Sequence, residues 1–214
     1  MVSFLRRFKK VRTDRTKEYW AQAAKGSLEK TMEKICDGFD GETFATKKDS
    51  ILFFLNVPLL PEYVVLDLAC GMGRTCKWVS PKVKQYVGVD FIPEMIEKAK
   101  EYNKQYTNAK FYINDGSTLN IIEDEMFDIV YCEIAFQHMN KTIHKSYVSD
   151  IHRTLKKNGL FYAQIPRMSF YNDEDYAYKD EEINELLKNF NVTYYDVENP
   201  TYRAYYAFKA EKKL

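Results

Sequence analysis

The sequence predicts an α/β fold built on an open, doubly wound, mostly parallel sheet, and three observations carry that prediction. Short apolar runs alternate with helical patterns along residues 60–166. The first four of these runs lead into a carboxylate, a glycine or both, which gathers polar groups at the carboxyl edge where such sheets bind ligands. Beyond residue 166 the order changes to a helix followed by two strands, which puts an antiparallel strand near the C-terminal edge of a seven-stranded sheet with helices on both faces.

The first strand is the run Val64-Val65-Leu66-Asp67-Leu68, which ends in Ala69-Cys70-Gly71-Met72-Gly73-Arg74. Glycines in such a turn let backbone approach a ligand that a Cβ would push away. A second strand, Tyr86 to Asp90, ends in an acid nineteen residues after Gly71, placed to accept hydrogen bonds from a ribose diol. Phe91-Ile92-Pro93-Glu94 then starts a helix with proline in its first turn, and Met95, Ile96, Ala99, Tyr102 and Tyr106 form its apolar stripe. A third strand runs from Ala109 into Asn114-Asp115-Gly116-Ser117. A fourth, Phe127 to Cys132, runs out into Glu133-Ile134-Ala135-Phe136-Gln137-His138-Met139. The next helix carries Tyr147, Val148, Ile151 and Leu155, and Lys156-Lys157-Asn158-Gly159 reads as its basic last turn and glycine stop. Leu160 to Ile165 is the fifth strand. A helix over Glu181 to Phe190 and strands over Val192–Val197 and Tyr202–Lys209, joined by Asn199-Pro200, complete the chain.

The turn reads D-x-A-x-G-x-G, with Ala69 before the two glycines, instead of G-x-G-x-x-G: Gly71 and Gly73 fit the first two glycines of that pattern, and Cys76 stands at the third. In this the chain resembles the class I S-adenosylmethionine-dependent methyltransferases, closely over residues 60 to 166 and loosely in the flanks, with four motifs in the family's order and spacing. The resemblance implies a Rossmann-like sheet and S-adenosylmethionine as cofactor. It implies cofactor contacts from Asp67, Ala69, Gly71, Gly73, Arg74, Asp90, Phe91 and Met95, with Asp115 on the adenine amino group beside Gly116 and Ser117. It further implies a helix covering the cofactor, in which Tyr19 and Trp20 either touch the methionine end or pack on the sheet. Two regions follow: residues 1–50 as a basic segment with covering helices, and residues 51–214 as the methyltransferase domain.

Methyl transfer from a sulfonium is an in-line displacement, so alignment supplies much of the acceleration. An alcohol acceptor would also need a base near the transition state. His138 follows the fourth strand into the region where the methyl would point, and Glu133 is the alternative; Glu133 can instead hold the cofactor's ammonium, and His138 can cap the next helix. In the family, enzymes acting on amino groups of nucleic-acid bases have a proline pair after the fourth strand, and protein arginine methyltransferases have two glutamates there. This chain has Cys132-Glu133-Ile134-Ala135. A small-molecule acceptor remains, and Phe136-Gln137-His138-Met139 resembles methyltransferases of glycan and natural-product synthesis, which implies a sugar hydroxyl. The other readings are an NAD-dependent oxidoreductase, disfavoured by Cys76, and a non-catalytic cofactor-binding or membrane-associated subunit.

Composition fits one folded enzyme domain: 214 residues, 45% apolar, net charge +1, with no basic field of the kind nucleic-acid binding needs. Cys36, Cys70, Cys76 and Cys132 form no C-x-x-C pair, which points to a reducing cytoplasm. His138, His144 and His152 lack metal-ligand spacing, so no metal is expected, and the last two read as exposed helix residues. Arg6, Arg7, Lys9, Lys10, Arg12, Arg15 and Lys17 face only Asp14 across residues 1–17, interleaved with Phe4, Leu5, Phe8 and Val11. Such a segment suits peripheral contact with an anionic membrane, a solvated tail or a lid helix.

Overall fold

The computed structural model describes residues 16–35, 56–167, 174–195 and 205–213. Its sheet has seven strands: β1 Val64–Leu68, β2 Gln85–Asp90, β3 Ala109–Ile113, β4 Phe127–Cys132, β5 Leu155–Pro166, β6 Phe190–Tyr195 and β7 Tyr205–Lys212. Their order is β3-β2-β1-β4-β5-β7-β6, with β1 to β5 parallel and β7 antiparallel to both neighbours. The inner strands are mostly apolar on both sides because both faces of the sheet are covered. Leu66, Leu68, Val87, Val89, Val130, Phe161 and Ala163 form one face of the core with Tyr147, Val148 and Ile151 of the helix Lys141–Thr154. Val65, Tyr86, Ile129, Tyr131 and Tyr162 form the other, against Cys76, Val79, Ile96 and Ala99. Each fully buried side chain of this size contributes about 1.5–3 kcal/mol.

Six helices are described: α1 Thr16–Ala23, α2 Leu28–Ile35, α3 Cys76–Val79, α4 Pro93–Tyr102, α5 Lys141–Thr154 and α6 Asp180–Leu186. Proline opens α4 as the sequence predicts, and Asn103 closes it, its Nδ2 donating to the carbonyls of Ala99 (2.9 Å) and Met72 (3.2 Å), which ties the helix end to the glycine turn. Asn140 caps α5, accepting from Ile143 N at 3.0 Å.

Three expectations are corrected. Lys156-Lys157-Asn158-Gly159 does not end a helix: α5 stops at Thr154, Leu155 pairs with Phe127, and Asn158 takes a left-handed φ of +59° within β5. The Lys156–Asp128 ion pair (2.8 Å) holds this stretch on β4. His144 is fully buried, not exposed, because it lies on the same helix stripe as Tyr147, Val148 and Ile151 and finds internal partners. The last helix ends at Leu186, since Phe190 already pairs with Lys212; β6 and β7 span Phe190–Tyr195 and Tyr205–Lys212, while Asn199-Pro200 and Tyr202 lie outside the described residues. Cys36 and residues 1–15 also lie outside them.

No helix joins β3 to β4. Its place is taken by loop 114–126, fastened to α5 by two side chains one turn apart. Asp150 accepts from Leu119 N at 2.6 Å. Arg153 donates to the carbonyls of Ile122 (2.9 Å) and Leu119 (3.0 Å) and to Asp124 (2.6 Å). Among the described residues, no helix is long and apolar enough to cross a membrane.

Candidate functional site

A cavity of about 310 Å³ opens at the carboxyl edge of β1, β2 and β4, under α1. A larger groove of about 640 Å³ lies between α5 and α6, lined by such residues as Lys141, Lys145, Glu181 and Glu185, away from the strand ends that carry the sequence motifs.

At the β1 end, Asp67 is buried and accepts from Tyr86 Oη (2.6 Å) and Thr75 Oγ1 (2.7 Å), with Thr75 also 2.6 Å from Tyr131 Oη. Burial raises its pKa to about 6, against the opposing effect of these hydrogen bonds. Ala69 follows in the left-handed region at φ +59°, which explains why a glycine suits this position. Gly71 has φ +55°, and a Cβ there would meet nothing within 4 Å, so its open side faces the cavity. Gly73 is different. A Cβ there would stand 2.6 Å from Asn103 Nδ2 and 2.8 Å from Phe111, so Gly73 serves packing and does not line the cavity.

Asp90 closes the turn. Its Oδ2 accepts from Gly71 N and its Oδ1 from Ile92 N, both at 2.9 Å, which leaves each oxygen a lone pair for a further donor. Burial raises it to about 6, partly opposed by those backbone donors. The open glycine, the carboxylate with spare acceptor capacity and the apolar walls of Phe91 and Met95 fit a nucleoside bearing a ribose.

At the β4 end, Glu133 is ion-paired with Arg74 at 3.0 Å, and both line the cavity. Ile134 has φ +52°, an outlier for a β-branched residue that costs about 1–3 kcal/mol and sits on the cavity wall. The turn Phe136–His138 brings His138 into the cavity edge-on to Trp20 (ring centroids 5.2 Å), and Trp20 is edge-on to Tyr19 (5.1 Å). Burial pushes the His138 imidazole down to about 4, so it is neutral at neutral pH. Behind this turn, the His144 Nε2 meets the Phe136 carbonyl at 2.8 Å and its Nδ1 the Tyr178 hydroxyl at 3.2 Å. A carbonyl only accepts, so Nε2 carries the proton.

The structure thus brings Tyr19, Trp20, Asp67, Ala69, Gly71, Arg74, Asp90, Phe91, Met95, Gly116, Glu133 and His138 to one cavity. It does not bring Asp115 and Ser117 there: the Asp115 carboxylate is exposed and accepts from Ser117 N and Thr118 N of its own loop. Asn114, Gln137 and Tyr147 line the cavity and are absent from the sequence expectations. Their signal was adjacency, since Asn114 and Gln137 each precede a residue singled out by the motifs. Among the described residues, no group of His, Cys, Asp and Glu has the geometry of a metal site.

Residues 65–159 match the model of the family described as "Methyltransferase domain". Over this stretch the chain is methyltransferase-like, in the same region where its motifs resemble the class I S-adenosylmethionine-dependent methyltransferases. It is 29% identical over 154 residues to the uncharacterized methyltransferase YcgJ of Bacillus subtilis, covering 71% of this chain and 56% of that one. Phosphoethanolamine N-methyltransferase 3 of Arabidopsis thaliana is 28% identical over 116 residues, 54% of this chain and 23% of that one. The chain spans about half the length of the first curated relatives it matches. Among solved structures, phosphoethanolamine N-methyltransferase 1 of Haemonchus contortus, in complex with phosphoethanolamine and S-adenosylhomocysteine, superposes with a TM-score of 0.70 at 16% identity, covering 96% of this chain and 50% of that one. YcgJ itself gives 0.61 at 17% identity, covering 76% and 97%. These likenesses establish the fold.

Proposed function

We propose that this protein transfers the methyl of S-adenosylmethionine to a nitrogen of a small polar acceptor. The observation that carries this reading is that one cavity joins the Gly71–Asp90 cradle to a neutral imidazole, His138, under the aromatic pair Tyr19–Trp20. Bound cofactor supplies a methyl on a sulfonium, open to in-line displacement. Asp90 accepts the ribose hydroxyls, Phe91 and Met95 pack against the base, and Gly71 leaves room for the ligand. Glu133, held by Arg74, offers an anion to the cofactor's ammonium. An imidazole at about 4 is a weak base, so His138 orients the acceptor by taking a hydrogen bond from it. A neutral amine already presents its lone pair, whereas an alcohol would need a stronger base than this imidazole. Relatives named as phosphoethanolamine N-methyltransferases support an amine acceptor.

The second reading is a sugar hydroxyl, as in glycan precursors, favoured by Tyr19 and Trp20 at the cavity wall, since aromatic faces suit sugar rings. Incubation with methyl-labelled cofactor and two panels, amines including phosphoethanolamine and hydroxylated sugars, decides between them. Label on the sugars alone would overturn the nitrogen reading. Titration with S-adenosylhomocysteine and NAD tests the cofactor against the oxidoreductase alternative. Peripheral contact of residues 1–17 with a cytoplasmic membrane surface belongs to the same proposal and concerns residues mostly outside those described. Co-sedimentation with anionic vesicles at low and high salt tests it, because screening weakens such contact.

A further inference from the structure

We propose that His144, oriented by Tyr178, is a positioning residue: it fixes the turn Phe136–His138 from behind and so sets the His138 imidazole against Trp20. This inference rests on the role given to His138 above. The backbone bonds of the turn are local, His138 N to the Ala135 carbonyl at 2.9 Å and Met139 N to the Phe136 carbonyl at 3.0 Å, and it follows directly on the left-handed Ile134. The Phe136 carbonyl takes a second bond from another element, His144 Nε2 at 2.8 Å, in the first turn of α5. The His144 ring also stands edge-on to the Phe136 ring, 4.9 Å between centroids. Because α5 is capped at Asn140 and packed into the core through Tyr147, Val148 and Ile151, this bond ties the turn to a fixed helix.

Tyr178 orients the imidazole. Nε2 holds the ring's proton, so the Tyr178 hydroxyl is the donor to Nδ1, at 3.2 Å, and the two rings stack 5.5 Å apart at 21°. Tyr178 is buried and held in its turn: its N–H donates to the Pro166 carbonyl at 3.0 Å, at the end of β5. The ammonium of Lys141 lies 5.2 Å over its ring and is ion-paired with Glu182 at 2.6 Å. An imidazole with a different partner on each nitrogen has one orientation. His144 is fully buried and does not line the cavity, so it acts through His138. An apolar side chain would fill the same place without the desolvation cost of an imidazole, and what the histidine adds is its bond to the turn.

The test combines imidazole NMR with turnover, on the full chain. The protein has three histidines, so each imidazole is assigned by single substitution. Wild type is expected to show a slowly exchanging Nε2–H from His144 and no titration of His138 between about pH 5 and 8. His144→Leu should let His138 titrate near the ordinary value of about 6.5 and lower turnover about tenfold on the panel acceptor that takes label, with affinity for S-adenosylhomocysteine kept within about twofold. His144→Gln, whose Nε2 can reach the same carbonyl, should restore both. In a His138→Ala background, His144→Leu should cost no further turnover, since a residue acting through His138 has nothing left to act on; a merely structural loss would add. Tyr178→Phe should speed exchange of the His144 Nε2–H, and it stands as the test if His144→Leu does not fold by circular dichroism. Unchanged His138 signals in His144→Leu, equal losses in His144→Leu and His144→Gln, or unchanged exchange in Tyr178→Phe overturn the assignment. Full turnover in His138→Ala would overturn the role given to His138, while the imidazole signals still report whether His144 fixes the turn.

Discussion

The two ends of the cavity hold their functional groups by different means. At the β1–β2 end the geometry is backbone: Gly71 N and Ile92 N fix the Asp90 carboxylate, and Cys70 N is bonded to the Val89 carbonyl at 3.0 Å, so the cradle is part of the sheet edge. At the β4 end it is side chain on side chain: His138 against Trp20, Arg74 against Glu133, and a three-residue turn propped from behind by His144. The first end can accept one shape of ligand and little else. The second can change its lining by substitution without disturbing the strands, so under the proposed function it is the end where acceptor specificity would vary.

The change that breaks this contrast most strongly is Gly71→Val. A branched side chain at φ +55° is strained and would project into the open side of the cradle, so affinity for S-adenosylhomocysteine should fall by more than about 100-fold by calorimetry. Asp90→Ala comes next, with an expected loss of about 2–3 kcal/mol of binding in the same assay. Both variants need intact circular dichroism, and unchanged affinity in both would sink the assignment of the cradle. On the other side of the comparison, His138→Ala should keep cofactor affinity within about twofold while turnover falls on the order of 10- to 100-fold.

Two smaller effects sharpen the contrast. Asp90 titrates at about 6, and its ionised form is the one that accepts both ribose hydroxyls, so cofactor affinity should strengthen about tenfold as pH rises from 5 to 7. Asn at position 90 should flatten that dependence. His138, neutral above about 4, should add no rise between pH 6 and 8 to the rate profile, and a step near 6.5 would break its assignment as a buried neutral group. The smallest effect is Ala69→Gly. Relief of a left-handed alanine, about 1 kcal/mol, is offset by the entropy glycine adds to the unfolded chain, so the melting temperature should move by only a few degrees.

The same contrast decides what the sequence reveals. Gly71 and Asp90 were legible because turn chemistry and strand endings are local. The absence of Asp115 from the cavity was not, because it depends on a loop in which Ser117 and Thr118 draw the carboxylate away; Asp-Gly-Ser-Thr carries the composition of such a turn. His144 lies at i, i+3, i+4 and i+7 with Tyr147, Val148 and Ile151, so its burial was readable from spacing had its polarity not argued otherwise. The boundary at Leu155 was beyond local reasoning. A basic stretch ending in Asn-Gly serves a helix stop and a kinked strand equally, and pairing with Phe127, 28 positions away, made the choice.

The loop that stands in for a helix between β3 and β4 has a consequence for how the molecule opens. Its carbonyls at Leu119 and Ile122 both accept from the guanidinium of Arg153, that of Leu119 also from Ile122 N at 2.9 Å, and its amide at Leu119 has Asp150 from the same helix face. A helix would spread that load over many bonds, each lost gradually as it frays. Here the cross-links converge on Asp150, Arg153 and the Thr154 carbonyl, so the opening of the segment is bound to the integrity of the end of α5. Amide hydrogens of 119–126 should therefore exchange together, as one cooperative unit, at a free energy below that of global unfolding. Because the same loop begins at Asn114, which lines the cavity, an occupied cavity would slow that exchange without any change of fold.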